Sequence, residues 1–187
     1  MMATLIRFVV ETNAWAQTDN KYIACFVRSV YAEALHRKAL SFSFAPMDGV
    51  TQYKRNDLVR ENDRFYREAL RYGNAAAVVY CLDRDRAKKD RARIDKIQAF
   101  INEKKGYRLV LFARHIEEVF APKKVGSKME TAAHYQMEPA SVYREPKFAQ
   151  PLQAVLTSDI PCSNLRLVLD SIIKTETNYS LGLSVFM

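Results

Sequence analysis

The chain has 187 residues, of which 49% are hydrophobic and 27% are charged, close to the usage of ordinary globular proteins. This composition excludes a disordered tail, a collagen-like repeat and a small disulfide-stapled scaffold, and the length fits a single domain. Lysine and arginine number 29 against 21 aspartate and glutamate, which gives a formal net charge of +8. An anionic partner is compatible with this excess, but the total does not say where the charge lies.

The cysteines and the hydrophobic runs predict a cytoplasmic protein. Cys25, Cys81 and Cys162 lie far apart without a Cys-x-x-Cys pair, which is typical of free thiols in a reducing compartment. The apolar stretch at 5–10 is too short for a signal peptide, and no run approaches the ~20 apolar residues that cross a bilayer. We therefore expect no membrane association.

Helical and strand patterns alternate up to residue 112. Gly73 and Gly106 each follow a helical pattern and precede an apolar run, as expected of left-handed glycines that end helices. The apolar runs alternate poorly, which is typical of parallel strands buried on both faces. The pattern predicts an α/β fold in the order β-α-β-α-β-α-β. The predicted strands are 5–10, 38–45, 75–82 and 107–112, and the predicted helices are 22–37, 57–72 and 86–105.

The remainder of the chain differs in character. Five of the 6 prolines lie between Pro122 and Pro161, which predicts a loop-rich excursion of the kind that serves as a lid or docking arm. A short helix is expected from Ser163 and a closing strand over 179–186. We expect an α/β core over 1–120 and a loop-rich extension over 121–187, packed on the same domain.

Acidic residues follow three of the predicted strands. Glu11 comes after the first strand, Asp83 and Asp85 after the third, and Glu117 after the fourth. Ligands of open α/β sheets gather beyond the carboxyl ends of the strands, and carboxylate oxygens suit hard cations such as Mg²⁺. The alternative is that these acids are helix caps or solvated loop charges.

This pattern resembles the TOPRIM domain family, the metal-binding fold of topoisomerases, bacterial primases and several small nucleases. The family has a glutamate after the first strand and an Asp-x-Asp after the third, which match Val-Val-Glu at 9–11 and Leu-Asp-Arg-Asp at 82–85. The Ile-Glu pair at 116–117 is similar to the pair found in overcoming-lysogenization-defect (OLD) type and RloB-like members. The resemblance extends from residue 5 to about residue 120.

The resemblance implies a TOPRIM-like, Rossmannoid fold with a mostly parallel four-stranded sheet flanked by helices. It implies a nuclease whose catalytic residues are Glu11, Asp83 and Asp85, with Mg²⁺ or Mn²⁺ held by these three and Glu117. DNA or RNA is the implied substrate, in a phage-defence or toxin-like system. The resemblance also suggests a separate ATPase partner, and a homo-oligomer is left open.

Basic residues crowd the start of the helix that follows the Asp-x-Asp pair. Such a patch beside a metal site could bind a phosphate backbone, although a solvated face neutralised by Asp90 and Asp95 is the alternative. The candidate nucleic-acid residues are Arg84, Lys88, Lys89, Arg91, Arg93 and Lys96. The preceding helix carries a comparable stripe, formed by Arg55, Arg60, Arg64, Arg67 and Arg71.

Two other interpretations stay open. Thr12 stands where the family has glycine after the glutamate, which favours a non-catalytic TOPRIM-like module that binds a protein or a nucleic acid, with 121–162 as its docking arm. A receiver-like or flavodoxin-like protein ranks last, because a receiver needs a pair of acids where Glu11 stands alone. The scattered histidines predict no zinc site. His115 beside Glu117 could assist a metal site, but a surface or hydrogen-bonded histidine is the favoured interpretation.

Overall fold

The computed structural model describes residues 2–11, 18–84, 87–121, 130–131 and 141–182, without the side chains of 87–89 and 174–182. Strands and helices alternate along the first two thirds of the chain, as the sequence pattern predicts. The strands are β1 (Thr4–Val10), β2 (Leu40–Pro46), β3 (Ala75–Arg84) and β4 (Tyr107–Ala113). The helices are α1 (Thr18–Val30), α2 (Ala32–His36), α3 (Asn56–Arg71), α4 (Ala87–Asn102), α5 (Ile116–Phe120), α6 (Leu152–Thr157) and α7 (Leu165–Gly182).

The four strands form one sheet in the order β2-β1-β3-β4, and every neighbouring pair is parallel. This confirms the predicted α/β fold with a parallel sheet flanked by helices, an arrangement consistent with a Rossmann-like fold. Val10 lies opposite Cys81, and Asp83 lies opposite Phe112. The carboxyl ends of β1, β3 and β4 therefore lie side by side at one edge.

Hydrophobic side chains cover both faces of the sheet, which explains the poor alternation of the strands. On one face, Ile6, Phe8 and Val10 of β1 pack with buried residues of α1, α5 and α7. On the other face, Val78, Tyr80 and Leu82 of β3 pack with α3, α4 and α6. The predicted helical stripe of α4 forms part of this second core and consists of Ile94, Ile97 and Ile101.

The helix predicted over 22–37 is interrupted. Tyr31 has φ −117° and ψ 29°, outside the helical region, and divides the segment into α1 and α2. Its hydroxyl donates a hydrogen bond of 2.8 Å to Asp170 in α7. This tertiary anchor holds Tyr31 at the break, and a contact 139 residues away along the chain leaves no trace in the local pattern.

Gly73 and Gly106 adopt the left-handed conformation expected after helices, with φ of 71° and 79°. At Gly106 a side chain is excluded for a second reason, since an added Cβ would lie 2.0 Å from the ring of Tyr66. Helix α3 can therefore pack closely against the turn that leads into β4.

The described part of the extension packs against the sheet. Asn164 accepts a hydrogen bond from the Leu111 N–H at 2.8 Å and donates one to the Leu109 carbonyl at 3.0 Å. The Ala113 N–H donates to the Cys162 carbonyl at 2.8 Å. The outer edge of β4 is thereby covered.

The closing strand predicted over 179–186 is wrong where the structure describes it, because 179–182 continue α7. The residues beyond 182 lie outside the described part. An established helix gains one backbone hydrogen bond for each residue added, whereas a strand at β4 would find its edge already bonded to 162–164. Within the described residues, we found no helix with the length and apolar character needed to cross a bilayer.

Candidate metal centre

The chain leaves β1, β3 and β4 at the same edge of the sheet, and the acidic residues of the site lie at these exits. Glu11 is the first residue after β1, and Asp83 is the penultimate residue of β3. The backbone N–H of Asp83 donates a hydrogen bond of 2.8 Å to Oε1 of Glu11. This bond joins the ends of two neighbouring strands and fixes the Glu11 carboxylate beside Asp83.

The segment that follows β4 contacts the carboxylate of Asp83. Arg114, in a left-handed conformation with φ 68°, turns the chain away from the strand. The Ile116 N–H at the start of α5 then donates a hydrogen bond of 3.0 Å to Oδ1 of Asp83. Nδ1 of His115 lies 3.6 Å from Oδ2 of the same carboxylate. Both carboxylate oxygens of Asp83 therefore face groups from the β4–α5 turn.

Three of the described residues form a group that could hold a metal ion. One potential ligand atom from each of Asp83, His115 and Glu117 lies within 4.8 Å of the other two. Glu117 is buried, with 6% of its surface exposed, whereas the side chain of His115 is about half exposed, at 49%. Solvent can thus reach the imidazole side of the group, while Glu117 forms its inner wall.

Negative charge accumulates at this edge. Burial and the nearby Asp83 raise the pKa of Glu11 from its ordinary value of 4.5 to about 8, although Arg93 opposes the shift. Burial also raises the pKa of Asp83, an effect that His115 opposes and Glu117 reinforces. Carboxyl groups with raised pKa values are short of compensating positive charge, and a bound cation supplies it.

The pKa of Tyr22 in α1 is also affected by Glu117. Burial, together with the charges of Glu117 and Asp19, raises the pKa of its hydroxyl to about 12. The influence of Glu117 therefore reaches the helix that packs on this face of the sheet, and the negative potential extends beyond the immediate metal-binding group.

The structure brings Glu11, Asp83 and Glu117 to one edge of the sheet, where the sequence pattern places them. Asp85 lies outside the described residues. His115, interpreted from sequence as a surface or hydrogen-bonded residue, belongs to the candidate group. The available signal was its position directly before the Ile-Glu pair. His115 is the neighbour of Ile116, whose N–H donates to Asp83.

The predicted basic patch is dispersed. Arg84 is buried, with 3% of its surface exposed, and its guanidinium donates to the Ser158 carbonyl. Its position in β3 turns it toward the core, so it does not join an exposed basic surface. Arg91 pairs with Asp95 and Arg93 with Asp90, each at 2.9 Å, and Lys96 is exposed. The side chains of Lys88 and Lys89 lie outside the described part.

Comparisons of the chain with protein-family models, with curated proteins and with solved structures found no match. A fold alone does not specify an activity, because one α/β architecture supports many chemistries. The function is therefore inferred from the chemistry of the residues at the sheet edge.

Proposed function

We propose that the chain is a metal-dependent nuclease of the TOPRIM type that hydrolyses phosphodiester bonds in DNA or RNA. The observation that carries the proposal is the convergence of Asp83, His115 and Glu117 within 4.8 Å at the carboxyl edge of the sheet, with Glu11 bonded to the same strand end. This edge is where ligands of open parallel sheets bind.

The donor atoms fit a divalent cation. In the proposal Asp83, Glu117 and His115 hold the ion, and Asp85 supplies a further carboxylate. A divalent ion in such a site stabilises negative charge on a phosphate and lowers the pKa of an attacking water. Carboxylates suit Mg²⁺ and Mn²⁺, whereas an imidazole ligand is more typical of transition metals. We therefore expect Mn²⁺ to bind more tightly than Mg²⁺.

Glu11 is proposed as the general base or as an additional ligand. A general base works best when its pKa lies near the pH of the reaction, and the pKa of Glu11 is raised to about 8. Its Oε1 accepts the Asp83 N–H, which orients the carboxylate toward the metal-binding group and leaves Oε2 to accept a proton.

A non-catalytic TOPRIM-like binding module is the second candidate, and one observation favours it. The Ile116 N–H and His115 together occupy both oxygens of Asp83, so this carboxylate could serve as a structural link between β3 and α5. Thr12 in place of the family glycine agrees with a site that has lost its activity.

The substitution Asp83→Asn separates the two candidates. Asparagine retains an oxygen that can accept the Ile116 N–H but removes the charge and one ligand oxygen. Asp159→Asn, which changes an exposed acid that does not belong to the Asp83–His115–Glu117 group, is the matched control. We expect D83N to weaken Mn²⁺ binding about 100-fold or more, measured by calorimetry, since even groups behind the ligands contribute 10–100-fold.

Cleavage is measured on plasmid, single-stranded DNA and structured RNA, with Mg²⁺, Mn²⁺ or chelator. The nuclease proposal expects cleavage by the wild type and by D159N, none with chelator, and none by D83N that retains its circular dichroism spectrum. Metal binding is the arm that does not depend on an ATPase partner. If the wild type binds neither Mn²⁺ nor Mg²⁺, the metal-dependent proposal is abandoned in favour of the binding module.

A further inference from the structure

Helix α3 presents a row of arginines to solvent. Arg60, Arg64, Arg67 and Arg71 are all exposed, and we refer to these four as the α3 arginine row. Their spacing of four, three and four residues places them within about 60° of one another around the helix, and the row extends ~16 Å along its axis. Four guanidinium groups therefore share one straight, solvent-facing line.

The acidic residues of α3 do not neutralise this row, because neighbouring elements use most of them. Asp57 pairs with Arg55 at 2.8 Å, and Glu61 pairs with Arg7 of β1 at 3.2 Å. Asp63 accepts hydrogen bonds from Lys104 and Tyr107, each at 2.8 Å. Among the described residues, the carboxylate that forms an ion pair with the row is Glu68, which is 4.0 Å from Arg64. The charge of Arg67 also helps to lower the pKa of Asp63.

The described arginines of α4 behave in the opposite way. Arg91 and Arg93 each lie 2.9 Å from an aspartate of their own helix. Their positive charge is thereby compensated within α4, whereas within the α3 arginine row the described residues show an ion pair for Arg64 alone. Helix α3 has as many acids as arginines. Its arginines nevertheless share one face, while most of its acids pair with residues outside the helix.

We propose that the α3 arginine row binds the phosphate backbone of a nucleic acid. A guanidinium matches the geometry of a phosphate with two parallel N–H donors, and a regular row of such groups suits a polymer with a regular charge repeat. An acidic protein surface rarely repeats its charges in this way. The inference rests on the proposed nuclease function for the identity of the ligand and adds the surface that holds it.

The placement of the row agrees with this role. Helix α3 follows β2 and precedes β3, so it runs from the carboxyl edge of the sheet to the amino edge. Arg60 lies nearest to the edge that carries the candidate metal centre, and Arg71 lies farthest from it. A backbone that follows the row is therefore led toward the edge where Asp83 lies.

The test compares two double variants that remove the same charge. Arg60→Gln with Arg67→Gln changes two residues of the row that form no ion pair with the described carboxylates. Arg37→Gln with Arg166→Gln changes two arginines that pair with Glu33 and Asp170 and belong to neither basic cluster. Binding to duplex DNA, single-stranded DNA and RNA is measured by fluorescence anisotropy across a salt series, with chelator present so that no metal is required.

For the R60Q/R67Q variant we expect the slope of log affinity against log salt to fall by about 1.8 on duplex DNA, or about 1.4 on a single strand. The R37Q/R166Q variant should keep the slope of the wild type. The inference is overturned if the wild type binds none of the three nucleic acids at low salt, or if both variants lose affinity equally. Equal affinity for polyglutamate would also overturn it, because the row would then select charge alone.

The two proposals fail separately. Nucleic-acid binding is measured with chelator present, so its outcome does not depend on the metal-binding group. A protein that binds through the row but holds no metal would refute the nuclease and leave the interface standing. Metal binding without any nucleic-acid binding would refute the interface and leave the metal-binding group standing.

Discussion

Acids that are at least partly buried lie at both the amino and the carboxyl edge of the sheet, but their pKa values shift in opposite directions. At the amino edge, partial burial raises the pKa of Asp63, and hydrogen bonds from Lys104 and Tyr107 outweigh this effect and hold the pKa below its usual range. At the carboxyl edge, burial and mutual repulsion raise the pKa values of Glu11 and Asp83. The contacts of the first acid outweigh its burial, whereas Arg93 beside Glu11 and His115 beside Asp83 do not.

This difference separates an acid that stabilises the fold from the acids at the candidate metal centre. Asp63 ties α3 to the start of β4, so its charge contributes to the structure that is already present. Asp83 opposes the ionisation of Glu11, and Glu117 opposes that of Asp83, so their proximity costs stability when they are charged. Perturbation of this kind is more common at functional sites than elsewhere.

The largest expected effect is stabilisation of the carboxyl edge by metal. At Mn²⁺ concentrations about 100 times the dissociation constant, the free energy of unfolding should rise by about 2.7 kcal/mol. For a chain of this size, this corresponds to an increase in Tm of about 5–10 °C. Scanning calorimetry with Mn²⁺ and with chelator measures it. An identical gain in D83N would show that the ion binds elsewhere.

The second prediction compares a substitution of the acid at each edge. Asp63→Asn should lower the free energy of unfolding by about 1–2 kcal/mol, because it weakens two partly exposed, charge-assisted hydrogen bonds. Without metal, Asp83→Asn should leave stability unchanged or raise it, because it removes one of the mutually repelling charges. Urea unfolding of both variants measures the difference. Comparable destabilisation by D83N would identify Asp83 as a structural residue.

The smallest expected effect, at most about 1.4 kcal/mol for each pH unit, is the pH dependence that Glu11 confers. Its pKa is about 8 in the folded protein against 4.5 ordinarily, so the folded state retains a proton that the unfolded chain releases. In the absence of metal, the free energy of unfolding should therefore fall as the pH rises from about 4.5 to about 8 and level off above that range. Glu11→Gln should flatten this decline.

Urea unfolding from pH 4.5 to 9 provides the measurement, with Glu33→Gln as a control at an exposed acid of α2. Saturating Mn²⁺ should reverse the trend, because metal binding requires deprotonated ligands and strengthens as the pH rises. If the pH profile of E11Q matched that of the wild type, the raised pKa would belong to a group other than Glu11.

Strand positions were predictable because their causes are local. Apolar runs bounded by Gly73 and Gly106 locate β3 and β4, and the same glycines fix the ends of the preceding helices. The placement of acids at the strand exits followed from the parallel order, since all four strands end at one edge. The break at Tyr31 was not predictable, because its anchor, Asp170, lies in the last helix.

The sequence by itself determined the layered α/β plan and the edge at which Glu11, Asp83 and Glu117 gather, because hydrophobic periodicity and strand order depend on neighbouring residues. Only the tertiary structure decided which polar groups face each other. It brought His115 to Asp83, buried Arg84 beneath the Ser158 carbonyl, and diverted the acids of α3 away from its arginine row. The net charge of +8 is a sum, whereas binding depends on which of those charges remain unpaired at a surface.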